Sequence, residues 1–138
     1  MGTVKKLYVT EDPVRIVSVS APEVKHLHNY KLCFPSAEGL HILSWQDISH
    51  CNAEDNYCRI HLVNGKQIFL VKTLRVIQQF LPGYAFVRIH RSHLVRIDSI
   101  IRVHRDGVEL REGRRLPVSR ERYKEIVIRL QKITVMIN

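Results

Sequence analysis

The most chemically capable side chains of this sequence gather in one short stretch. His90-Arg91-Ser92-His93 is a polar knuckle framed by Phe86, Val87, Ile89, Leu94, Val95 and Ile97. Arg88, Arg91 and Arg96 add three guanidinium groups to the same run. Three chemistries draw on such residue types. Histidines spaced H-x-x-H suggest zinc, but helical zinc pairs stand at i and i+4 with an acidic partner nearby. On a strand and loop, i and i+3 are expected to point to opposite faces. A serine nucleophile at Ser92 or Ser119 is the second chemistry, and neither residue has the glycine pattern of a nucleophile elbow. Carboxylates in this half are few and sit mostly in turns, at Asp106, Glu109 and Glu112, and there is no glycine-rich phosphate loop. The third chemistry is recognition of a polyanion, in which an apolar frame anchors the backbone and a short loop holds out donors. This reading makes the chain a binding protein rather than an enzyme, with no cofactor and no metal.

The charge distribution points the same way. The 138 residues carry a net charge of +9. Residues 1–60 hold six Lys/Arg against seven Asp/Glu, whereas residues 61–138 hold sixteen against six, so the whole excess lies in the later part. Twelve of those sixteen are arginine, whose planar fork suits phosphate and guanine edges. A merely solvating charge would be spread along the chain and richer in lysine. Nucleic acid is therefore the leading partner class. Single-stranded binding calls for aromatics interleaved with the basic residues. Here Phe86 and Tyr123 are the two aromatics of the basic region, and both fit a core pattern. Arg, Ser, Asn and His on loops suit the groove edges and phosphates of a duplex instead.

The elements that must position these residues follow from patterning. The length fits one domain with one substantial core. Leu32 and Phe34 lead to a turn over Pro35–Gly39, and a strand resumes at Leu40–Leu43. Ser44–Asp47 is a turn or single helical turn with Trp45 buried. A strand over Ile48–Ala53 leads to the polar loop Glu54-Asp55-Asn56. Tyr57–Val63 alternates, and Asn64-Gly65 then predicts a two-residue type I′ hairpin turn to a return strand at Lys66–Lys72. Thr73 caps a helix carrying Leu74, Ile77 and Leu81, which Pro82-Gly83 ends. After the knuckle, strands are expected at Ser99–His104, Val108–Leu110 and Arg115–Val118. Ser119 then caps a helix with a Tyr123, Ile126, Val127, Leu130 stripe. The expected fold is mainly β with two helices. Residues 1–29 are an N-terminal extension of uncertain role, in which Val14–Val19 reads as a strand and Pro22 opens a short helix. Cys33, Cys51 and Cys58 show no C-x-x-C spacing, and the latter two flank a loop closely enough for a redox role to be considered beside the plainer role of small buried hydrophobes. No apolar run approaches the roughly 18–20 residues of a membrane span, and no secretory h-region is visible. The expected location is the cytoplasm, without membrane insertion.

Phe86-x-Arg-Ile-His-Arg-Ser-x-Leu-Val-x-Ile97, the strand at Ile100-Ile101 and the later Leu116-Pro-Val-Ser-Arg120 resemble the LytTR-type DNA-binding domain of bacterial transcription regulators. Asp47-Ile48, Asn52–Tyr57, Thr73-Leu74 and Leu81-Pro82 fall in the order of that family. The resemblance covers about residues 30–133 and implies an elongated β fold that sets loops, not a recognition helix, into DNA major grooves. It makes residues 30–138 the DNA-binding domain. By position it implies DNA contacts at Asn56, Arg91 and Arg120, with Arg91 and Arg120 as the base readers and Asn56 pairing with adenine or a phosphate. Lys72, Arg88, His90, Ser92 and Ser119 are implied as phosphate contacts or groups supporting the readers, Ser119 serving equally as a helix cap. The family commonly has Asn where this chain has Arg96, which is either an added contact or a solvated side chain. The implied partner is double-stranded DNA, bound as a homodimer on repeated half-sites. A regulatory protein partner is also conceivable. Some 29 residues precede the domain, too few for the receiver domain many family members carry, so the chain is either free-standing or part of a longer regulator. The alternative function is a protein-interaction module, an inhibitor or accessory of another regulator that uses the basic face on an acidic partner.

Overall fold

A computed structural model describes residues 29–36 and 39–138. The strand at Val14–Val19 and the helix at Pro22 expected from the sequence lie outside the described residues. Ten strands and two α-helices follow in chain order among the described residues: β1 Lys31–Ser36, β2 Gly39–Ser44, β3 Ile48–Glu54, β4 Tyr57–Leu62, β5 Gln67–Leu70, α1 Leu74–Gln78, β6 Phe86–His90, β7 His93–Arg96, β8 Ile100–His104, β9 Gly107–Leu110, β10 Arg115–Pro117 and α2 Arg120–Gln131. The mainly β fold with two helices is the one the sequence predicts. Trp45–Asp47 is a single 3-10 turn with Trp45 buried, as its position before β3 suggested.

Three antiparallel sheets form: β1-β2, β8-β9-β10, and a five-stranded sheet ordered β5-β4-β3-β7-β6. Side chains of a strand alternate between faces, and the five-stranded sheet uses both. Ile48, Cys51, Cys58, Ile60, Phe86 and Leu94 face one core with the β1-β2 hairpin, α1 and Leu81. Val87, Ile89 and Val95 face a second core with Val108, Leu110, Leu116 and Ile126 from the smaller sheet and α2. Adjacent residues Leu94 and Val95 of β7 thus belong to different cores, and both are fully buried. No helix among the described residues is long and apolar enough to cross a membrane.

Two expected elements differ in detail. The Asn64-Gly65 hairpin forms, but Asn64 is not at positive φ; Gly65 alone is, at 91°. Gly65 N–H donates to the Leu62 carbonyl and Leu62 N–H to Lys66. This is a tight turn through Val63-Asn64 followed by a left-handed glycine, the usual three-residue hairpin loop. Gly113, at φ 94°, closes β9-β10 with the same pair of bonds between Leu110, Gly113 and Arg114. Helix α1 is shorter than the spacing suggested. Thr73 caps it by accepting from Val76 N–H, but beyond Gln78 the bonds tighten to i+3 through Leu81, because Pro82 disfavours helical geometry in the residue before it. Leu81 still reaches the core, 1% exposed.

A methyl group added at Gly65 would meet only open space, so Gly65→Ala tests the backbone conformation alone. It should destabilise the domain by about 1–2 kcal/mol through the left-handed φ, read as a lowered urea midpoint at unchanged slope.

Candidate nucleic-acid interface

The register of the five-stranded sheet decides which loops meet. Glu54 of β3 pairs with Tyr57 of β4, so the Asp55-Asn56 turn closes that end. β5 ends there too, with Leu70 opposite Cys58, and delivers Lys72. β7 begins there, with His93 opposite Asn52, and His90 pairs with His93 across the two-residue turn Arg91-Ser92. Ala53 N–H donates to the Ser92 carbonyl at 2.9 Å, tying the two turns together. Ser119 N–H donates to the Ile89 carbonyl at 2.9 Å, so α2 also starts at this end. Asn56, Lys72, His90, Arg91, Ser92, Ser119 and Arg120 therefore share one edge of the molecule. Asn56, Arg91 and Arg120 are exposed on it.

Each turn is braced from behind. Glu54 accepts from Asn52 Nδ2 at 3.1 Å, Tyr57 Oη at 3.0 Å and Arg59 Nη2 at 3.0 Å. These bonds, that of Asn52 foremost, hold its carboxyl below the usual range, and they fix a turn in which Asp55 sits at φ 55°. Behind the knuckle, His90 Nδ1 accepts from Ser92 N–H at 3.0 Å. Arg88 donates to the carbonyls of His90 and Arg91 and to Gln78 Oε1.

Other sequence-predicted residues take different places. Arg96 is neither solvated nor near the knuckle. It stands three residues along β7 from His93, roughly 10 Å away, donates to the Ile48 carbonyl at 2.6 Å and leaves its side chain only 12% exposed. Ser119 occupies the N-cap position with extended backbone, but its hydroxyl makes no capping bond and is buried without a partner among the described residues. His90 and His93, expected on opposite faces, lie together with ring centroids 5.5 Å apart. The two-residue turn reverses the chain, so i and i+3 become a cross-strand pair. No group of three His, Cys, Asp or Glu able to hold a metal occurs among the described residues. Cys51 and Cys58 are buried free thiols. Burial raises both, Cys58 to about 11, which disfavours the thiolate that redox chemistry needs.

Sequence reasoning missed Arg105, whose guanidinium lies 5.6 Å over the Tyr123 ring. The bond from Val118 N–H to the Asp106 carbonyl holds its turn beside the start of α2. Arg122, half-buried in the first turn of α2, is a second. Arg122 has a signal in its place two residues past Arg120, whereas Arg105, fifteen residues before α2 in the chain, has none. Sequence reasoning also missed a histidine stack beside this edge. His50 and His61 lie face to face at 4.1 Å, and His61 Nε2 bonds Asn52 Oδ1 at 2.6 Å. Burial, then the neighbouring His61, lowers His50 to about 3. Burial, then His90, lowers His93 to about 4. The lowered rings of His50, His61 and His93 are neutral at pH 7 and add no positive charge to the edge. A rigid edge carrying guanidinium and amide groups on two short turns and a helix start can pair with phosphates and base edges together.

Comparison with known proteins bears on the family and the fold. Residues 38–131 match the family model of the LytTr DNA-binding domain. The sensory transduction protein LytT of Bacillus subtilis (strain 168) is 26% identical over 113 residues, covering 78% of this chain and 46% of that protein. LytT of Bacillus anthracis is 26% identical over 102 residues, covering 70% and 41%. The chain thus spans about half the length of these curated relatives. Among solved structures, a LytTr DNA-binding domain from a Bacillus cereus response regulator superposes with a TM-score of 0.63 at 19% identity, covering 72% of this chain and 95% of that one.

The neutral histidines, His50 buried and His93 half-buried, set a pH dependence of stability. Their folded values lie below the ordinary 6.5, so the unfolded chain takes up protons first and stability falls with pH. The urea midpoint should be level above about pH 6.5 and decline from there to about 4.5, before carboxylates titrate. A flat midpoint over that window would contradict neutral burial.

Proposed function

The chain belongs to the LytTr DNA-binding domain family, and from that premise we propose that it is a cytoplasmic, non-enzymatic transcription regulator that reads duplex DNA by sequence. In this proposal residues 30–138 are the DNA-binding domain and residues 1–29 an extension to it. The observation that carries the reading is the convergence of the Asp55-Asn56 turn, the Arg91-Ser92 turn and the start of α2 on one edge. The sheet register produces that convergence without any long recognition helix. Arg91 and Arg120 each offer a bidentate fork suited to guanine, and Asn56 an amide suited to adenine, in the major groove. Lys72, His90, Ser92 and Ser119 flank them as phosphate contacts or supports. Arg96, turned inward to Ile48, acts through the fold.

Three readers specify only a few base pairs, too few for a distinctive site. Two copies on repeated half-sites would double the read sequence, and since mismatch costs add across separated positions, would multiply the discrimination. We therefore include a homodimer on DNA in the proposal.

Selection on random duplex DNA supplies the site. On it, Arg91→Ala and Arg120→Ala should each cost about 1–3 kcal/mol and relax discrimination at one base position. Lys72→Ala should weaken all sequences alike and reduce the salt slope by about 0.9. Unaltered site preference in Arg120→Ala would refute the base-reading role. Absence of binding to any duplex at low salt would refute the DNA reading and favour an acidic protein partner.

A further inference from the structure

The geometry points to Arg88 as the positioning residue that fixes the Arg91-Ser92 turn and, through it, the spacing of that turn from Arg120. The inference rests on the DNA reading above for its consequence but not for its geometry.

It begins with an irregularity in the sheet. β6 pairs Arg88 with Leu94 and then His90 with His93, so Ile89 is an extra residue, a bulge. A bulge interrupts the ladder and re-aims the chain beyond it. Here it has two effects. The Ile89 carbonyl is released from the ladder and accepts the backbone N–H of Ser119, the residue before α2. The carbonyls of His90 and Arg91 both come within reach of one side chain. Arg88 Nε donates to His90 O at 2.9 Å, its Nη2 donates to Arg91 O, and its Nη1 donates to Gln78 Oε1 of α1 at 3.2 Å. Only a planar guanidinium presents three donors in that fixed fan; a lysine ammonium has the charge without the geometry. Its acceptors are two backbone carbonyls and a neutral amide, so the group is not balanced by a carboxylate in these bonds. Burial, and then Arg122 nearby, lower its pKa, consistent with a group packed behind the edge.

Arg88 is thereby distinguished from a phosphate contact. Its donors point back at the turn and at α1, and the turn it closes is the one whose Ser92 carbonyl accepts Ala53 N–H from β3. Losing the fork would free the knuckle to rotate about the bulge while leaving Arg91 itself intact.

The test uses the whole chain with Arg88→Lys, Arg88→Met and, as a milder variant away from the edge, Gln78→Ala. Amide hydrogen exchange without DNA reads positioning directly. Exchange at Ala53, Ser92 and Ser119 should speed by about tenfold in Arg88→Lys and more modestly in Gln78→Ala, the loss of charge-assisted bonds setting the scale. On the selected site, Arg88→Lys should lose about tenfold in affinity with a nearly unchanged salt slope, and random duplex should bind much as before. Unchanged exchange in Arg88→Lys overturns the inference whatever the DNA result. So does Arg88→Lys behaving as wild type while Arg88→Met lowers the salt slope by about 0.9, the signature of a phosphate contact. Faster exchange in a protein that binds no duplex would uphold the positioning role and refute the DNA reading alone.

Discussion

Strand β3 is the constraint on which the rest of the structure depends. It is hydrogen-bonded on one side to β4 and on the other to β7, and both faces of the sheet around it are covered. A slip of one residue would send Ile48 and Cys51 from the apolar core to the opposite face, so the burial pattern locks the register. With the register locked, the ends of the neighbouring strands are no longer free to choose their partners. The antiparallel alternation puts the β3-β4 turn, the β6-β7 turn and the end of β5 at one edge. The Ala53–Ser92 bond carries the ladder out to the tips of the turns. The position of the candidate interface is a boundary condition of the core.

The sheet's two irregularities extend that order to the rest of the molecule. In β3 the extra residue is Ser49, whose hydroxyl donates to Glu112 Oε1 at 2.8 Å on the β9-β10 turn. In β6 it is Ile89, whose carbonyl holds the start of α2. The outer edge of β6 is closed at its other end by Arg129 of α2, which donates to the carbonyls of Phe86 and Gly83. An unpaired strand edge invites association with other strands, and here a helix covers it with one backbone bond and one guanidinium. The same contacts that protect the edge fix where Arg120 emerges.

Much of this was legible in the sequence, and what was not has a common cause. Alternation at Tyr57–Leu62, the cap at Thr73 and the stripe in α2 are local patterns, and the elements form where those patterns fall. The knuckle was legible as a motif. The division of labour among its arginines was not, because their partners are remote. Arg96 reaches a carbonyl 48 residues earlier, and Arg129 one 43 residues earlier. Composition assigns all arginines to one basic surface, whereas folding turns Arg59, Arg88, Arg96 and Arg129 inward and leaves Arg91 and Arg120 outward. Strand alternation predicts opposite faces for His90 and His93, but the turn between them reverses the chain and makes them a cross-strand pair. The Asn64-Gly65 dipeptide predicts the hairpin but not its turn type, because the preference does not report which residue takes the positive φ.

For the proposed function, the inward arginines supply what short loops would need to discriminate bases. A loop that orders only on binding loses affinity to the entropy of ordering it, and loosely held donors can rearrange to satisfy the wrong base. Here the ordering cost is met during folding, by Glu54 beneath one turn, Arg88 beneath the other and the Ile89 carbonyl beneath α2. In the proposed complex the exposed forks of Arg91 and Arg120 would meet the groove at a separation set by the protein rather than by the DNA. Specificity in such an edge is a property of the bracing as much as of the contacts. Residues that touch no nucleic acid should therefore alter which sequence is preferred, while exposed cations beyond the braced turns should alter only how tightly any sequence is held.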